Sequence, residues 1–228
     1  MSMTLNPVNE AAFQKAVQSL ETLNRAAVFH PTGTGKSCIA WKVVEAHPQT
    51  TFFWLVAGAQ RLALRQAELT RYNGGTLPGN VRFCDCEKLA AATPEQWVRL
   101  GEQKPGCIVL DCYHELSAVC WAQSVQKLLR MCSQAKVLGL GVPNGAPVCA
   151  AAQELFADCI VSHMTVAEAM AAGTMPVPSA YAALLWPQEE ELATLRARIK
   201  NLCMPKGDTS LRVQYEELSW SLRQVENL

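Results

Sequence analysis

The stretch HPTGTGKS, residues 30–37, decides how the rest of the chain is read. It follows a short apolar run, RAAVF at 25–29, and opens KSCIAWKVVEAH, which has helical character. A glycine-rich turn between a strand and a helix is the context that a phosphate-binding loop needs. Gly33 and Gly35 permit backbone angles that turn amide N–H groups inward, and the helix N-terminus behind them favours anions. On this reading Thr32, Gly33, Thr34 and Gly35 form a cradle, Lys36 reaches the β- and γ-phosphates, and Ser37 offers its hydroxyl to Mg²⁺. The full pattern G-x-x-x-x-G-K-[ST] asks for glycine at position 30, where His30 stands.

Outward from the loop, short apolar runs alternate with helical stretches. TFFWLVA (51–57), VRFCD (81–85), GCIVLD (106–111), AKVLGLGV (135–142) and CIVS (159–162) read as further strands. Between them, residues 9–23, 59–71, 93–101, 117–133, 148–158 and 165–173 read as helices, the first with Phe13, Val17, Leu20 and Leu23 near one face. Thr93 with Pro94 and Gln96, and Thr165 with Glu168, carry capping-box signals, and Gly173 marks a helix end. Strands that are continuously apolar rather than alternating are buried on both faces, so an α/β domain with a parallel sheet is expected over residues 1–186. After Pro187 two charged amphipathic stretches, 188–202 and 210–228, predict a helical hairpin over 187–228.

Bulk composition agrees with a buried core: half of the 228 residues are hydrophobic and 18% are charged. Lys+Arg and Asp+Glu balance at 20 each, so no net charge advertises nucleic acid or a basic partner. The start MSMTLNPVNE lacks the basic flank and apolar core of a signal peptide, and no run is long enough to span a membrane. The ten cysteines form no C-x-x-C pair and sit mostly in apolar runs. Buried thiols in a reducing, cytoplasmic setting are expected rather than zinc or disulfides.

IVLDCYHEL, 108–116, carries the second signal. Asp111 ends an apolar strand at the carboxyl edge of the sheet, where a second Mg²⁺-binding carboxylate belongs beside a phosphate loop. PTGTGKS resembles motif I of superfamily-two helicases, and LDCYHEL resembles their DEAD/DEAH-type motif II. The likeness continues through Trp121, LGLGVPNGAP (138–147) and ELFADCIVSHMTVAEAMAAGTMPVPSAY, spanning about residues 5–186 in the family's order. The resemblance implies the first RecA-like domain of a helicase, ATP and Mg²⁺ as cofactors, DNA or RNA as partner, and His114 as the histidine that couples motif II to motif III.

Several departures bear on activity. Cys112 stands where the family has the glutamate that positions the attacking water, and a largely neutral thiol is a poor acceptor. Gly141-Val142-Pro143 replaces a hydroxyl-rich motif III, and Glu10 replaces an adenine-reading glutamine. In WLVAGAQRL (54–62), like the strand-gripping motif Ia, the usual proline and hydroxyls are missing, leaving Arg61 and Arg65 to touch phosphates or solvent. The family's second RecA-like domain, with its arginine finger, would need about 150 further residues. Weak or no hydrolysis by the chain alone follows, unless a second chain completes the site. A non-enzymatic binding module with an inherited loop is the alternative. Trp41, Trp54, Trp97 and Trp121 read as core, and His30, His47 and His163 show no ligand spacing.

Overall fold

The computed structural model describes residues 3–111, 113, 119–143, 155–156, 158–176, 193, 194, 196 and 197. In chain order the described elements are α1 (Pro7–Thr22), β1 (Arg25–Phe29), α2 (Lys36–Ala46), β2 (Phe52–Val56), α3 (Ala59–Tyr72), β3 (Val81–Asp85), α4 (Cys86–Ala90), α5 (Pro94–Glu102), β4 (Cys107–Asp111), α6 (Val119–Met131), β5 (Lys136–Gly141), β6 (Ile160–His163) and α7 (Val166–Ala171). The strands form one six-stranded sheet in the order β3-β2-β4-β5-β1-β6, every pairing parallel. The expected α/β class is therefore the observed one. The chain divides into two units, Met1–Val177 and Pro178–Leu228. The hairpin expected over 187–228 lies outside the described residues, except that residues 193, 194, 196 and 197 are helical.

Alternation along each strand sends side chains to two separate cores. Val28, Trp54, Val109, Leu138 and Leu140 face α1 and α2, with Ala12, Ala16, Ile39 and Val44 packed on them. Ala27, Phe29, Phe53, Leu55, Ile108 and Leu110 face the other way, against Leu89, Trp97, Val125, Leu128 and Phe156. Asp111 shares its parity with Val109 and so leaves the sheet on the face that α2 covers.

Both capping boxes are present, Thr93 with Gln96 and Thr165 with Glu168. Helix α1 differs from the expectation in its buried face. Ala12, Ala16 and Leu20 are buried together with Asn9 and Ser19, while Leu23 is 55% exposed. Small residues set the close approach of α1 to the sheet, so the larger Phe13 and Val17 pack at its margin. Helix α4 is short enough that its five residues show no apolar period, and it was not expected. Cys84, Cys86 and Cys107 are free thiols that burial pushes up to about 12, in keeping with inert core cysteines.

The glycines of β5 have a packing reason. A Cβ on Gly139 would lie 2.8 Å from the Phe156 ring. One on Gly141 would lie 2.7 Å from the Tyr113 ring and 2.8 Å from that of Phe29. These three rings meet in sequence, Phe29 edge-to-face with Tyr113 at 5.1 Å and Tyr113 tilted against Phe156 at 5.2 Å. The aromatic layer thus occupies the space that a hydroxyl-bearing side chain at position 141 would need. Gly141→Ala is expected to lower stability by about 1–3 kcal/mol through overpacking, measured as the shift of the urea midpoint.

Candidate nucleotide-binding site

The sheet topology brings the sequence signals together. β5 lies between β1 and β4, and the register sets Asp111 level with Leu140, and Leu140 level with Val28. Two interstrand spacings, about 10 Å, therefore separate Asp111 from the end of β1, where the loop begins.

The loop has the form that the sequence implies. Gly33 and Gly35 take φ of +87° and +88°, a region that other residues rarely adopt. A Cβ on Gly33 would meet nothing within 4 Å, so the loop faces open space there. Gly35 caps α2 in the left-handed conformation with no side-chain hydrogen bond and no acidic residue in the first turn. The helix start thus carries no acidic residue of its own against its positive dipole end. Thr32 is exposed, whereas Thr34 is buried and donates from Oγ1 to the Pro31 carbonyl at 2.8 Å. Ser37 is half-buried beside it. The Lys36 ammonium folds over the loop, donating to the carbonyls of His30 at 2.7 Å and Pro31 at 2.8 Å.

Asn9 is a residue that sequence reasoning missed. Its Nδ2 donates to the Thr34 carbonyl at 2.8 Å, and a Cβ on Gly35 would lie 2.9 Å from that same Nδ2. Asn9 is 3% exposed, and its Oδ1 is buried without a partner. The amide props the loop from below, a role invisible in a helical residue 25 positions upstream. The only available hint was a polar side chain on the buried face of α1.

His30 fills the position where glycine was expected. It is fully buried, with Nε2 2.8 Å from Ser162 Oγ on β6 and Nδ1 unpartnered. Burial, then the charges of Lys36 and His163, lowers its pKa from 6.5 to about 4. Because the folded value lies below the unfolded one, the unfolded chain takes up the proton first as pH falls. Stability should therefore decline between pH 6.5 and pH 4, by at most about 3 kcal/mol. His30→Gln should flatten that part of a pH series of urea midpoints.

Asp111 stands at the strand end where the sequence reading puts it, and its side chain is 4% exposed. Its Oδ2 accepts from the Trp54 indole Nε1 at 3.1 Å and from Arg65 Nε at 2.6 Å. Arg65 also pairs through Nη1 with Glu68 one turn along α3. Burial works against the guanidinium's charge, but Asp111 and Glu68 outweigh it and hold its pKa above the ordinary value. Arg65 thus points inward rather than to solvent or a nucleic-acid backbone, and Trp54 is a core residue that also holds the carboxylate. Further along α3, the Tyr72 hydroxyl lies 3.5 Å from Cys38 Sγ at the start of α2. Cys112 and His114 lie outside the described residues. Among those described, no three His, Cys, Asp or Glu residues could share a metal ion, and no helix is long and apolar enough to cross a membrane.

No protein-family model and no curated protein matches this sequence. Solved structures do match it. Over 99% of its length the chain is similar to DUF1998 helicase MrfA, with TM-score 0.52 and 14% identity. Over 99% it is also similar to the SWI2/SNF2 ATPase core of Sulfolobus solfataricus, solved in complex with double-stranded DNA, with TM-score 0.52 and 12% identity. The fold is the RecA-like α/β fold that these two structures share. The chain spans 41% of the first of these structures and 58% of the second. In this RecA-like domain a polyphosphate fits the residues present: an open glycine-rich loop, an uncapped helix start and a poised ammonium. At Asp111 the Oδ2 oxygen is taken up by Arg65 and Trp54.

Proposed function

We propose that this chain is a helicase-type motor domain that binds ATP through residues 30–37 and works on nucleic acid. The loop carries the reading. Thr32 to Gly35 would wrap the phosphates, and Lys36 would exchange the His30 and Pro31 carbonyls for β- and γ-phosphate oxygens. Mg²⁺ would enter with the nucleotide on the Ser37 hydroxyl. Asp111, read from the sequence as the second metal contact, has Arg65 in the cation's place. DNA or RNA as partner is carried over from the resemblance and from the DNA-bound neighbour.

Hydrolysis is expected to be weak, since a thiol at Cys112 cannot orient and deprotonate water as a carboxylate does. Calorimetric titration with a non-hydrolysable ATP analogue tests binding, and micromolar affinity is the expected result. Cys112→Glu should then raise turnover roughly 10²-fold or more. Absence of any nucleotide binding would leave the loop a relic and the non-enzymatic alternative standing.

A further inference from the structure

The ion pair at the edge of the site is unusual in where it is built. Asp111 is the carboxylate level with the phosphate loop, and its Oδ2 is held at 2.6 Å by Arg65 and at 3.1 Å by the Trp54 indole. Neither ionic partner is loosely placed: their side chains are 17% and 4% exposed. Arg65 is fixed in turn by Glu68, and the same helix carries the buried Leu69 and Tyr72, whose hydroxyl reaches Cys38 in the first turn of α2. These four residues share one face of α3, at spacings of three, four and seven.

We propose that Arg65 takes the divalent cation's place at Asp111, so that this chain holds nucleotide phosphates with little dependence on Mg²⁺. The proposal rests on the nucleotide-binding reading above. A cation on Oδ2 of Asp111 must displace a short charge-assisted hydrogen bond, and one on the other carboxylate oxygen sits beside the guanidinium, two like charges in a poorly solvated corner. Arg65 is permanently charged and matches a carboxylate with directed donors, so it neutralises Asp111 without metal. Asp111 neutralised in this way repels a bound polyphosphate less, and Lys36 supplies the ammonium that meets it. Arg65 acts through Asp111 and is a positioning residue.

The test is the dissociation constant of a fluorescent ATP analogue measured in excess EDTA and in millimolar Mg²⁺. For the unaltered chain the two values should agree within about threefold. For Arg65→Gln, binding should weaken more than about tenfold in EDTA, because Asp111 then needs a cation. Arg65→Lys should restore most of the metal independence. Without nucleotide, Mg²⁺ alone should raise the melting temperature of Arg65→Gln and leave that of the unaltered chain unchanged. A more than tenfold loss in EDTA for the unaltered chain would overturn the proposal and leave nucleotide binding intact. No binding in either buffer would overturn both. Should Arg65→Gln fail to fold, the comparison of buffers in the unaltered chain decides by itself.

Discussion

Lys36→Ala is expected to weaken ATP binding at least about 100-fold while the chain stays folded. Each charge-assisted hydrogen bond from an ammonium to a phosphate oxygen contributes about 1.5–3 kcal/mol. Two such bonds would give a larger loss, but Lys36 must first leave the carbonyls of His30 and Pro31, which offsets part of the gain. The lower end, near 3 kcal/mol or about 10²-fold, is therefore the expected figure. In the nucleotide-free chain the loss of these two carbonyl contacts costs little. The Pro31 carbonyl keeps the Thr34 hydroxyl as a donor, and one weakened acceptor at His30 corresponds to about 1 kcal/mol. That is a drop of roughly 2–4 °C in melting temperature for a chain of this size. Calorimetric titration paired with a thermal melt checks both halves. Unchanged affinity in the mutant would show that the loop does not grip phosphate through this residue.

The second large effect is on stability. Arg65→Ala should cost about 3–5 kcal/mol, because it takes the guanidinium away from a carboxylate whose side chain is 4% exposed. An exposed pair would cost no more than about 1 kcal/mol, and burial is what separates the two outcomes. Asp111→Asn in the Arg65→Ala background should recover most of the loss, since the amide oxygen still accepts from the indole and no charge is stranded. A double-mutant cycle from urea unfolding should give a coupling above about 2 kcal/mol. A coupling near zero would mean that the pair is solvated in solution, and the reading of Asp111 as neutralised by Arg65 would go with it.

The sequence alone carried the class of fold and the phosphate loop. Both are local in cause. Continuous apolar runs of about five residues between helical stretches point to buried parallel strands, and all six strands are placed within one residue of the expected bounds at each end. A glycine pair at spacing two, followed by lysine and serine, needs no distant residue to be recognised. The capping boxes at Thr93 and Thr165 are likewise four-residue signals.

What tertiary structure decided is the chemistry around that loop. Nothing in the helix of residues 59–71 marks Arg65 as different from Arg61. Only the crossover that lays α3 beside the end of β4 brings its guanidinium to Asp111, 46 residues away. Asn9 becomes a prop for the loop only because α1 packs through alanines closely enough for its amide to reach Thr34. His30 is accepted in a glycine's position because β6 returns beside β1 and presents Ser162 to it. Each of these contacts joins residues that are far apart in the chain, and each is set by how helices and strands pack around the sheet. The sequence determined that a glycine-rich loop would open α2. Its charged and propping partners were settled by which helices and strands folding lays against it, since hydrogen bonds and ion pairs depend on distances that no local pattern encodes.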